Sequence, residues 1–120
     1  MKSVHVFLGP VAVVVNGLVG AWGVLIARRP EIPRSFYWGV GAGIVVMILQ
    51  VVVGVVSMTA SDIDSGDQHV FYGGLIAVTF SLAYVYRSQF RRRPALYYGL
   101  LLLFTMGLGI RAIVTVGRGF

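Results

Sequence analysis

The stretch FYWGVGAGIVVMILQVVVGVVSM, residues 36–58, runs for twenty-three positions without a charged side chain. A helix needs about 20 consecutive apolar residues to cross the hydrocarbon of a bilayer, so this segment alone is long enough to span one. Working outward, similar apolar runs occur at about 4–27, 69–86 and 96–116, and the four together use up nearly all of the 120 residues. The chain is 58% hydrophobic and 12% charged, against about a quarter charged in ordinary soluble domains. The sequence therefore predicts an all-α, polytopic membrane protein, with a single four-helix transmembrane domain over residues 1–120. No cleavable signal peptide is expected, because the first apolar run is too long and is followed by Arg28 and Arg29. It is read as a retained span.

The net charge of +6 acquires its meaning from its placement. Of ten basic residues, Arg28, Arg29 and Arg34 follow the first run, and Arg87, Arg91, Arg92 and Arg93 follow the third. The positive-inside rule then makes loops 28–35 and 87–95 cytoplasmic, and puts loop 59–68 and both termini outside a plasma membrane. Basic charge here sets orientation. The lipid bilayer, and other membrane protein subunits, are the expected partners; nucleic acid is not. Asp62, Asp64 and Asp67 in the outer loop lack the terminal glutamate of a calcium loop and read as a solvated turn. With no cysteine in the chain, disulfides, thiolate metal sites and covalent heme attachment are excluded.

The chain repeats itself. His5-Val-Phe-Leu-Gly9 matches His69-Val-Phe-Tyr-Gly73, and Arg28-Arg29-Pro30 lies as far from the first histidine as Arg92-Arg93-Pro94 does from the second. Tyr37-Trp38-Gly39 then echoes Tyr97-Tyr98-Gly99. Two tandem helical hairpins, about 4–58 and 69–117, are predicted, related by a pseudo-two-fold axis along the membrane normal. That arrangement places His5 and His69 at one depth near the outer boundary of the hydrocarbon.

Two imidazoles from separate helices at matched depth are what axial ligation of a heme iron needs. Gly9 and Gly73, one turn deeper on the same faces, would let a flat macrocycle approach the backbone. Small and polar residues continue the stripe as Ala12, Asn16, Gly20 and Gly23 in the first helix, and as Gly39, Gly43, Gln50, Gly54 and Ser57 in the second. The same spacing of small residues also serves ordinary helix packing in membranes, and an interfacial histidine can simply be hydrated, so both readings stand on the residues alone. Arg111, well inside the last apolar run, has Gln50, a heme propionate, a quinone carbonyl or a lipid phosphate as its expected partners. Phe36, Tyr37, Trp38, Tyr84, Tyr86, Tyr97 and Tyr98 read as an interfacial aromatic belt.

From His5 to about Thr79 these features resemble one four-helix half of heme A synthase. The shared elements are a histidine opening a glycine-rich helix, an arginine-rich loop, Leu49-Gln50-Val-Val-Val-Gly54, and a second histidine after an outer loop. The resemblance implies a bundle of similar shape, like a four-helix membrane b-type cytochrome, with His5 and His69 as axial ligands of one heme b. Val6 stands where that family commonly has arginine, the family's outer-loop glutamate has no counterpart, and there is one histidine pair and no second half. Synthase activity is therefore not implied. The function expected is a heme-bearing electron carrier or an accessory subunit of a respiratory or photosynthetic complex. A cofactor-free structural or assembly subunit, and a quinone- or lipid-binding protein using Arg111 and Gln50, are the alternatives.

Overall fold

A computed structural model describes residues 2–61 and 67–115, with side chains over 4–56 and 69–115. Asp62, Asp64, Arg118 and the side chains of Ser57 and Asp67 lie outside the described residues. The described chain is entirely helical apart from short turns: α1 (Lys2–Leu25), α2 (Arg34–Ser61), α3 (Asp67–Val85), the single-turn α4 (Arg87–Phe90) and α5 (Pro94–Val114). Its extents are 50 × 23 × 21 Å, long enough to match the roughly 40–45 Å of a bilayer with its headgroups.

Three segments are long and apolar enough to cross a membrane: Val4–Leu25, Arg34–Val56 and Pro94–Val114. The apolar part of α3, His69–Val85, is shorter. Large apolar side chains face outward along the bundle, with Phe7 at 71% and Leu18 at 69% exposure. Such a surface suits lipid rather than water.

Helices α1 and α2 run antiparallel, since His5 and Gly9 meet Gln50, Asn16 meets Gly43, and Val19 meets Gly39. The most extensive packing joins α1 to α5, followed by α1 to α2 and α3 to α5. At the α1–α5 contact the backbones touch. A methyl group built on Gly20 would lie 2.9 Å from the Gly99 carbonyl, and one on Gly99 would lie 2.9 Å from the Gly20 carbonyl. Gly23 is equally tight against Ala95 and Gly99. Asn16, fully buried, ties three helices together. Its Nδ2 donates to the carbonyls of Ala12 (2.8 Å) and Gly43 (3.0 Å), and its Oδ1 accepts from the Thr105 hydroxyl at 3.1 Å.

The packing between the hairpins does not follow the two-fold that the sequence repeat predicts. Under a two-fold, the partner of the α1–α5 contact is α2–α3, yet those two helices barely approach one another. Counting from the matched histidines, Ala12, Asn16, Gly20 and Gly23 of α1 correspond to Ile76, Phe80, Tyr84 and Arg87 after it. The slim face of α1 admits a neighbouring backbone; of the corresponding α3 positions, Ile76 is buried whereas Tyr84 and Arg87 are exposed. Ile76 packs with Ala12, Met47 and Leu108.

Two sequence expectations change. Phe36 is not a belt residue; it is fully buried among Ile26, Val40, Ala95 and Leu102 and stacks edge-on against Trp22. Trp38, Tyr84 and Tyr86 do face outward. The loop expected over 87–95 contains α4, whose Phe90 rests on Tyr98 with centroids 4.9 Å apart. Helix α5 begins at Pro94, where a missing N–H costs nothing in the first turn.

Gly99→Ala is expected to force α1 and α5 apart and lower unfolding stability by about 1–3 kcal/mol. Gly41→Ala, with no atom within 4 Å of the added methyl, should stay within about 0.5 kcal/mol of the parent. Reversible denaturation in mild detergent measures both.

Candidate functional site

The hairpins bring the first residues of α1 and α3 together across the bundle. His5 and His69 lie with ring centroids 5.7 Å apart and planes at 86°. Each ring is held by the next long helix of its own hairpin. His5 Nδ1 lies 3.1 Å from the Gln50 carbonyl oxygen of α2, and His69 Nδ1 lies 2.7 Å from the Ala112 carbonyl oxygen of α5. The two bonds are of one kind, a ring nitrogen to a carbonyl of the next long helix, although by the Tyr37–Tyr97 register Gln50 corresponds to Ile110 and not to Ala112.

A carbonyl oxygen can only accept, so each Nδ1 must carry the proton and donate it. That assigns the Nδ1–H form to both neutral rings and leaves Nε2 with a lone pair. Neither Nε2 has a hydrogen-bond partner among the described residues. With both protons committed to carbonyls, neither ring has an N–H left to offer the other. The pair thus presents two acceptors and no donor, with His5 Nε2 lying 3.5 Å from the Cβ position of Gly54.

The donor set fits a metal-centred group. The 5.7 Å spacing at 86° is that of an ordinary edge-to-face ring contact, and it is also near the roughly 6 Å expected for two imidazoles on one ion. A carbonyl bonded to the far N–H is the usual support of a metal-bound histidine, fixing its orientation and strengthening the donor nitrogen. Among the described residues no cluster of three or more histidine, cysteine or acidic side chains could hold an ion without further ligands. Two imidazoles suffice when a macrocycle supplies the remaining ligands, as in heme.

The surrounding residues divide unevenly. Gly54 lies flush against His5, and a methyl group there would meet the ring Cε1 at 2.8 Å. Gly9 is covered, its Cβ position lying 3.2 Å from Gln50 Nε2 and 3.8 Å from Ile113. Gly73 and its neighbour Gly74 have nothing within 4 Å. Gly73 and Gly74 border open space, Gly74 on the exposed surface of α3, whereas Gly9 is covered because Gln50 turns back over α1. Gln50 Nε2 donates to the His5 carbonyl at 2.9 Å, while its Oε1 is buried and accepts no hydrogen bond.

Arg111 does not reach Gln50. Its guanidinium donates to the Tyr72 hydroxyl at 3.4 Å and stands 5.6 Å from that ring's centroid. Both residues belong to the α3–α5 pair, where Arg111 precedes Ala112, the acceptor for His69. Tyr72 escaped the sequence reading, because a tyrosine in an apolar run carries no signal until its neighbour is known; its position in the second copy of the histidine motif was the available clue. No family model, curated protein or solved structure matches the chain.

Gly54→Val should push the His5 ring out of place, whereas Gly73→Ala should not disturb His69. Ring-to-ring nuclear Overhauser contacts in histidine-labelled protein should vanish in the first variant and persist in the second.

Proposed function

We propose that the chain is a membrane-embedded heme b-binding protein, with His5 and His69 holding the iron from opposite sides. It would serve as an electron carrier or as a heme-bearing subunit of a larger respiratory or photosynthetic complex. The observation that carries the reading is the pair of Nδ1–carbonyl bonds, which leaves two unprotonated Nε2 atoms on neighbouring rings. When bound, heme would supply a one-electron couple.

The chain's own residues do the rest. The Gln50 and Ala112 carbonyls hold the imidazoles in the ligating tautomer. Gly54 lets the His5 ring lie against α2, and Gly73 with Gly74 leaves space beside α3. Arg111, fixed by Tyr72 one turn from His69, is positioned for an anionic substituent such as a propionate. In this reading α3 is the fourth span, and hairpins 4–58 and 69–117 both enter from outside a plasma membrane. Loops 28–35 and 87–95 are then cytoplasmic, and the site lies near the outer leaflet.

A second reading, quinone or quinol binding, is favoured by one observation. The buried Gln50 Oε1 beside His5 is an acceptor ready for a hydroxyl donor. It predicts retention of quinone by heme-free protein.

Protein purified from heme-replete cells should give a pyridine hemochrome spectrum of b type at about one heme per chain. His5→Ala and His69→Ala should each abolish the reduced α band while leaving the helical circular dichroism unchanged. An unaltered spectrum in both variants, or wild-type protein without a Soret band, would sink the proposal.

A further inference from the structure

The end of the bundle opposite the histidines holds a cleft of about 340 Å³. It lies between the segment after α1 and the start of α5, and the two Arg-Arg-Pro words of the repeat meet there. Arg29 comes from the first, and Arg92 with Arg93 from the second. Tyr37 closes one side and Ala95 the floor. Orientation by basic charge requires arginines on this side of the membrane, but it does not require three of them to converge on one cavity. Arg28, Arg34 and Arg91 satisfy the same rule without lining it.

Glu31, between the lining residues Pro30 and Ile32, is the acidic side chain next in sequence to the cleft, and it does not line it. No acidic side chain lines the cleft, and none of the three arginines forms an ion pair among the described residues. Helix α5 adds to the positive potential. Its N-cap, Arg93, makes no side-chain capping bond, and Pro94 fills the first position. The N–H groups of the next residues, beginning with Ala95 in the cleft floor, are left without helical acceptors at the positive end of the helix dipole. Guanidinium groups match the paired oxygens of a phosphate, and uncapped helix N–H groups are suited to the same ligand.

We propose that this cleft binds a phosphate group, and that its source is the headgroup of an anionic membrane lipid. Depth favours that source. The cleft opens where the apolar segments Val4–Leu25 and Pro94–Val114 end, the level at which headgroup phosphates lie. Its volume sits at the small end of ligand cavities, enough for a headgroup whose acyl chains stay outside along the bundle. Basic pockets at helix ends that face a negatively charged leaflet are suited to such lipids. The site is independent of heme.

The test is native mass spectrometry of the protein released from zwitterionic detergent with either phosphatidylglycerol or phosphatidylcholine added. Wild-type protein is expected to retain phosphatidylglycerol about tenfold better. The triple variant Arg29→Gln, Arg92→Gln, Arg93→Gln should lose that preference. A charge-matched triple, Arg28→Gln, Arg87→Gln, Arg91→Gln, should keep it. Equal retention of the two lipids by wild type, or equal loss in both triples, overturns the site. Should the first triple fail to fold, Arg29→Gln and Arg93→Gln singly must each weaken retention, and unchanged retention in both again overturns it. Millimolar glycerol phosphate should leave most of the lipid in place; full displacement overturns the lipid as source and assigns the cleft to a soluble phosphate ester.

Discussion

The contact between the backbones of α1 and α5 is the constraint on which the rest of the bundle depends. In lipid there is little hydrophobic reward for bringing helices together, so close packing and polar bonds must do it. Gly20, Gly23 and Gly99 provide the first, and Asn16 with Thr105 and Gly43 provides the second. Within each hairpin a short turn joins the helices, and the α1–α5 contact is the most extensive one that fixes one hairpin against the other. It thereby sets the relative depth of α1 and α3, and with it the meeting of His5 and His69 at one end and of the two arginine turns at the other.

The two histidine-headed helices differ in the faces that follow the histidines. The first has a slim stripe that accepts a backbone; the second carries isoleucine, phenylalanine and tyrosine at the same positions. A perfect two-fold would have closed both inter-hairpin contacts equally. Instead α3 packs less closely on α2, with Gly73 and Gly74 uncovered. Common to both is the histidine and its bond to a carbonyl on the next long helix, the feature to which the proposed function is attached.

Much of this was legible in the sequence. Hydropathy marked the helices to within a few residues, and the repeated words marked which residues would share a depth, so the pairing of His5 with His69 followed before any coordinates. Partners were less legible, because periodicity gives the face a residue occupies and not what stands opposite. Arg111 was expected near Gln50 on grounds of depth, but it lies on the α3 side of α5, while Gln50 is turned over α1. Gly9 and Gly73 were read alike from identical spacing, yet one is covered by the Gln50 amide and the other is open. Phe36 sits among interfacial aromatics in sequence and in the core in space, because it opens α2 on the side that faces Ile26 and Ala95. The arginines announced which loops lie together on one side; that three share a cleft depends on the α1–α5 register.

Two backbone carbonyls, of Gln50 and Ala112, hold both histidines in the form that leaves Nε2 free. Nitrogen-15 NMR of histidine-labelled protein in bilayers, prepared without heme at neutral pH, reads the tautomer of each ring directly. His5 and His69 should both show a protonated Nδ1 and an unprotonated Nε2. A protonated Nε2 on either ring of the neutral pair would contradict that assignment.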